Sequence, residues 1–128
     1  GDTHAAQGDG EVCGTAIETA LRVRLRVGLK KQMPLRAPRL DVPEVSATGA
    51  EPRGNFVTLG VGPDLMSAAR DAVREMIDHL TSEYGLTPEQ SYCLCSVAVH
   101  LRLSEVVDAP NWVVSAYLPK SLFPRRES

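Results

Sequence analysis

The sequence predicts an α+β domain, an antiparallel or mixed β-sheet with an antiparallel helix pair packed on one face. Three observations predict it. Leu21, Val23, Leu25, Val27 and Leu29 alternate with Arg22, Arg24, Arg26 and Gly28, a period of two that marks a strand with one apolar face. From Asp64 the period lengthens. Leu65, Ala69, Ala72, Val73, Met76, Ile77, Leu80 and Tyr84 recur at three- and four-residue steps, one stripe of an amphipathic helix of about five to six turns. Two further apolar runs, 101–107 and 112–118, then flank the turn cluster Asp108-Ala109-Pro110-Asn111, which reads as a pair of strands.

Taken in order, residues 21–29 are the clearest strand, one face buried and the other carrying three arginines. Those arginines read either as an anion-binding ladder or as a solvated sheet face, and no aromatic interleaves them as nucleic-acid stacking requires. Pro34, Pro38, Pro43 and Pro52 punctuate residues 30–54. Each removes a backbone donor, so this is an irregular connection with at most a short strand near 39–45. FVTLGV at 56–61 is an apolar strand stopped by Gly62 and Pro63. The helix that follows places Arg70, Asp71, Arg74, Glu75 and Asp78 on its solvent face, His79 between the faces, and Gly85 just past its end. A second helix opens on Thr87-Pro88-Glu89-Gln90, an N-cap, a proline at the first turn and a capping-box glutamine, and runs to Val97 or Ala98. Its Cys93 and Cys95 are two apart, point in different directions and read as small buried hydrophobes. Val113, Val114, Ala116 and Leu118 are too apolar for an open edge, so the last hairpin is covered. The tail from 120 to 128 is polar and frayed.

Composition bounds the partners. At 128 residues the chain builds one core and a single domain. Fourteen Lys and Arg against 16 Asp and Glu leave no electrostatic footprint for nucleic acid or an anionic membrane. Three cysteines make no disulfide framework, no apolar run reaches the roughly 20 residues of a membrane span, and no signal peptide precedes the chain. A soluble, cytoplasmic protein is the expectation.

The chemistry is concentrated in residues 1–18, GDTHAAQGDGEVCGTAIE. Asp2 and His4 are two apart, as are Asp9 and Glu11, so each pair points to one side of an extended backbone. Carboxylate oxygen and imidazole nitrogen together suit a divalent metal, and Gly8 and Gly10 let the segment fold back toward one ion. A solvated acidic turn is the other reading.

This stretch resembles the signature of the acetamidase/formamidase family, enzymes that hydrolyse short amides to a carboxylate and ammonia. The run 94–119, LCSVAVHLRLSEVVDAPNWVVSAYLP, is similar to the family's C-terminal run, and 56–80 shares its character. Where the family usually has an acidic residue, this chain has His100. Family members are longer, and the chain has no initiator methionine, so it reads as a C-terminal fragment of such a protein.

The resemblance implies hydrolysis of formamide, acetamide or a close relative by metal-activated water, in a homo-oligomer whose other partner is the small amide. Asp2 and His4 would hold the ion, zinc first because of the histidine, with Asp9 as further ligand or orienter. Glu11 would be general base and then acid. Calcium would suit a second, all-oxygen site of Asp9, Glu11 and Glu18. Gln7, Asn111 and Trp112 would line the substrate pocket, although Trp112 also reads as a hairpin anchor. Cys13 follows Glu11 as a nucleophile would, but no lysine lies near it, and the resemblance gives it no role. The alternative to an amidase is a non-catalytic remnant, a folded assembly or dimerisation piece that keeps the motif and lacks upstream ligands.

Overall fold

The computed structural model describes residues 3–43 and 53–124. In chain order they form β1 (His4–Ala6), β2 (Ile17–Glu18), β3 (Arg39–Val42), β4 (Asn55–Gly62), α1 (Leu65–Tyr84), α2 (Pro88–Ala98), β5 (His100–Glu105), β6 (Trp112–Pro119) and a 3-10 turn at Lys120–Leu122. β1 and β2 make a small antiparallel ribbon, and the main sheet runs β3-β4-β6-β5, every pair antiparallel. The α+β class stands, with two sheets rather than one.

Register decides which side chains meet α1. Phe56 lies opposite Leu118, Thr58 opposite Ala116 and Gly60 opposite Val114, and directly opposed residues share a face. Val114, Ala116 and Leu118 join Ala68, Ala72, Met76 and Leu80 of α1 in the core. Met76, Leu80, Leu118 and Val114 are fully buried, each worth about 1.5–3 kcal/mol over exposure. Thr58 adds a hydrogen bond from Oγ1 to the Ala72 carbonyl, 2.8 Å. The helix ends follow the sequence. Asp64 caps α1 through the Ser67 N–H, Gly85 closes it at φ 68°, and Thr87 with Gln90 completes the expected capping box on α2. No helix among the described residues is long and apolar enough to cross a membrane.

Four sequence expectations need correction. Residues 21–29 are not a strand with a buried face. They have no ladder partner among the described residues, and their alternating Leu and Val side chains are 57–92% exposed. Alternation records the capacity for a covered face, but only a neighbouring strand supplies the ladder. Cys93 is exposed, and only Cys95 of the pair is buried. The chain past Pro119 is held as far as Phe123, whose ring stacks on Tyr84 at 3.7 Å and whose carbonyl accepts from Arg53 at 2.6 Å.

The fourth correction is Glu75, placed by the helical wheel in solvent and found 3% exposed. Its carboxylate takes Arg36 Nε at 2.6 Å and Arg39 Nη2 at 2.8 Å, while Arg36 also reaches Asp78. The proline-rich connection folds back over α1 and turns a solvent position into a buried one. Burial works to raise the Glu75 carboxyl, and the two guanidinium groups, Arg36 before Arg39, outweigh it and hold it below the ordinary glutamate range. Glu75→Ala is therefore expected to cost about 2–3 kcal/mol, below the usual figure for a broken buried pair because Arg36 is mostly in solvent. Asp78→Ala should stay within about 0.5 kcal/mol. Since the folded carboxyl is lowered, its contribution is complete above the ordinary glutamate value and lost as pH falls through the lowered one. Urea midpoints at neutral and acid pH check this: wild type should lose more on acidification than Glu75→Gln, and equal losses would refute the ion-pair account.

Candidate active site on the docked glycine loop

The first motif is built on the β1–β2 ribbon, where His4 faces Glu18 and Ala6 faces Ile17. Thr19 N–H donates to the Thr3 carbonyl at 2.9 Å, and Thr3 Oγ1 donates to the Thr19 carbonyl. Between the strands the chain turns twice, with Glu11 N–H donating to the Gly8 carbonyl at 3.3 Å and Gly14 N–H to the Glu11 carbonyl at 3.2 Å. The turn needs Gly10 at φ 91° and holds Glu11 at φ 42°. A glutamate in the left-handed region is strained, and strain of this kind is kept where the surroundings demand it.

The surroundings are β5 and the turn after it. Val106 N–H donates to the Gly10 carbonyl at 3.0 Å, and Gly10 is buried there. Asp9 stands 3.7 Å from Arg102, whose guanidinium lies 4.5 Å over the Tyr117 ring. Arg102 pairs with Ser115 and His100 with Tyr117, so the loop docks on the sheet face away from α1. The register slips between Leu103 and Glu105, and Glu105 comes to face Val113. Bulges re-aim side chains in this way beside functional sites. Here the slip turns a carboxyl toward the docked loop.

Glu105 is the residue that sequence reasoning missed. One of its carboxyl oxygens, Oε1, is buried and has no hydrogen-bond partner among the described residues. Burial first, then the charges of Asp108 and Glu11, push its carboxyl above the usual range. The only signal in the sequence was a charged residue inside an apolar strand pattern, and its neighbours Glu11 and Asp108 are set by docking and by the bulge.

The expected residues fall as follows. Asp2 lies outside the described residues. His4 is exposed, and its Nδ1 meets Gln7 Oε1 at 3.0 Å, a contact that suits the neutral tautomer with the proton on Nδ1 and the lone pair on Nε2. Gln7 lines a shallow cavity of about 410 Å³ with Ala6, Gly8, Thr15, Ala16 and Ile17. Asn111 closes the β5–β6 turn, its N–H donating to the Asp108 carbonyl at 2.8 Å. Trp112 is half-buried opposite Gly62, at the strand end. The cavity that holds Gln7 is lined by neither Asn111 nor Trp112. Cys13 is exposed, with its thiol lowered by hydrogen bonds from Thr15.

Among the described residues no three His, Cys, Asp or Glu side chains converge as metal ligands, which applies equally to Asp9, Glu11 and Glu18. His4 Nε2 and the Asp9 carboxylate suit zinc in kind. The third of the three protein ligands that a catalytic zinc takes would be Asp2, which lies outside the described residues.

A model of the acetamidase/formamidase family matches residues 1–125, a span that holds both halves of this site. The chain belongs to the acetamidase/formamidase family. Among solved structures it is similar to an acetamidase from Yersinia enterocolitica, at 30% identity and a TM-score of 0.72 over 95% of this chain and 34% of that one. It is also similar to an acetamidase from Bacillus halodurans, at 26% identity and a TM-score of 0.50 over 56% of this chain and 26% of that one. The chain thus spans about a third of the Yersinia acetamidase. No curated protein sequence matches it. For a member of this family, the docking of the first motif on the second joins the two stretches that carried the resemblance.

Proposed function

We propose that these residues form part of an amidase that hydrolyses the C–N bond of short linear amides, formamide and acetamide, to carboxylate and ammonia. The observation that carries the reading is the docking of the glycine loop of a family member on the end of β5, where the Gly10 carbonyl accepts from Val106 N–H and so brings the stretch with Glu11 to the stretch with Glu105. An unactivated amide needs a nucleophilic water, charge stabilisation at its carbonyl oxygen and a proton for the departing ammonia. A carboxylate placed beside the water and the leaving nitrogen can supply the proton steps. In this reading Glu11 takes the proton from water and later returns it to nitrogen. Glu105, raised by burial and then by the charges of Asp108 and Glu11, stands beside it as the second carboxyl. Gln7 holds His4 with Nε2 free, and Arg102 orients Asp9.

A divalent ion, zinc first, belongs to the proposal as the group that Asp2, His4 and Asp9 would hold. When bound it lowers the pKa of water toward about 7 and polarises the carbonyl. The reading extends to a homo-oligomer in the cytoplasm with the small amide as substrate. The alternative is a non-catalytic assembly piece that keeps the motif and lacks upstream ligands.

The test compares the 128-residue chain with a chimera in which it replaces the matched third of the Yersinia enterocolitica acetamidase. Ammonia released from formamide and acetamide is measured with bound metal on the same samples. Turnover by the chimera, with zinc uptake that His4→Ala abolishes, is the expected result. A folded chimera that binds zinc and releases no ammonia would leave the assembly piece as the better reading.

A further inference from the structure

Residues 21–29 follow β2 after Thr19 and Ala20, close in sequence to the ribbon that carries the first motif. All nine are exposed, and among the described residues no strand pairs with them. Leu21, Val23, Leu25, Val27 and Leu29 stand in water, alternating in sequence with Arg22, Arg24, Arg26 and Gly28, so an extended backbone would put the apolar side chains on one side and the arginines on the other. Alternation this regular is what a strand with one covered face requires and what a solvated loop does not. An apolar row of this length is an interaction surface.

We propose that residues 21–29 are a β-strand of a sheet completed by the part of an acetamidase-length chain that these residues do not span, and that the completing strand carries carboxylates opposite the arginines and apolar side chains opposite the leucines and valines. Two observations identify this occupant. The Yersinia enterocolitica acetamidase matches 95% of this chain with only 34% of its own, so most of a family-length chain lies outside the match and is free to supply a strand. The second is charge. A second copy of this chain fits poorly, because the antiparallel registers that bring the apolar side chains together also set Arg24 against Arg26, Arg24 against Arg24, or Arg26 against Arg26. Like charges directly opposite destabilise a pair, and opposite charges stabilise it. Strand addition would also hold the β1–β2 ribbon from its far end and so steady the loop that presents Glu11.

The experiment co-expresses the 128-residue chain with the remainder of the Yersinia enterocolitica acetamidase as a separate, tagged chain. The two pieces should co-purify one to one. Amide exchange at residues 22–29 should slow by about 100-fold or more relative to the chain alone, as ladder hydrogen bonds form. The triple variant Arg22→Glu, Arg24→Glu, Arg26→Glu should weaken the complex by about tenfold or more, with the helical circular dichroism of the chain unchanged. Four results would overturn the proposal: no complex, a complex in which 22–29 still exchange freely, a triple variant that binds as well as wild type, or a self-associated chain that protects 22–29 unaided. The readouts involve no turnover, so they stand or fall apart from the amidase reading.

Discussion

Gly60→Ala is expected to lower the melting temperature by roughly 10–20 °C, the equivalent of about 3 kcal/mol or more in a domain of this size. Gly60 lies on β4 under α1, facing the helix with Thr58. A methyl group placed there would sit 1.9 Å from the Ala68 carbonyl oxygen and 2.6 Å from the Ala72 nitrogen. Both are backbone atoms of a helix packed along its whole length, so no side chain can swing aside. The helix must lift, and in lifting it loosens Met76 and Leu80 against Val114 and Leu118, where close packing supplies much of the stability. Gly28→Ala is the control, since a Cβ there meets nothing within 4 Å, and it should stay within about 0.5 kcal/mol. Thermal unfolding followed at 222 nm compares the two. A Gly60→Ala protein as stable as wild type would show that α1 does not approach β4 so closely.

That contact illustrates what was legible in the chain and what was not. Helix α1 was readable because its apolar period is local, and both its Asp64 cap and the Thr87–Gln90 box are made within four residues. The strands at 55–62, 100–105 and 112–119 were readable for the same reason. Glu75 was not, because its partners Arg36 and Arg39 stand 39 and 36 residues away, and no wheel drawn on one helix includes them. Residues 21–29 were misread in the other direction. Their pattern describes a sheet whose neighbouring strand is not among the described residues. In the candidate site, Asp9 and Glu11 lie on the glycine loop that docks on β5, and Asn111 lies in the β5–β6 turn. Glu105 escaped because its environment comes from a bulge and a docked loop nearly a hundred residues upstream, which no spacing rule encodes.

The acid–base assignment makes the remaining prediction. In the chimera that carries these residues in an acetamidase-length chain, Glu11→Gln should keep the fold and the bound metal while turnover of acetamide falls by about 10²–10⁴, the usual contribution of a positioned acid–base group. The amide is isosteric and can keep the left-handed turn that Gly10 and Val106 hold in place, so the loss would be one of proton transfer rather than architecture. Glu105→Gln separates the partners. With the neighbouring carboxyl gone, the pH dependence of kcat should shift, because a group raised by burial and then by the charges of Asp108 and Glu11 no longer stands beside Glu11. His4→Ala should instead lose activity together with metal. Ammonia release, bound metal and pH profile, taken on the same preparations, divide these roles. A Glu11→Gln enzyme with normal turnover would end the assignment, and one that loses its metal would move Glu11 from the proton path into the ligand shell.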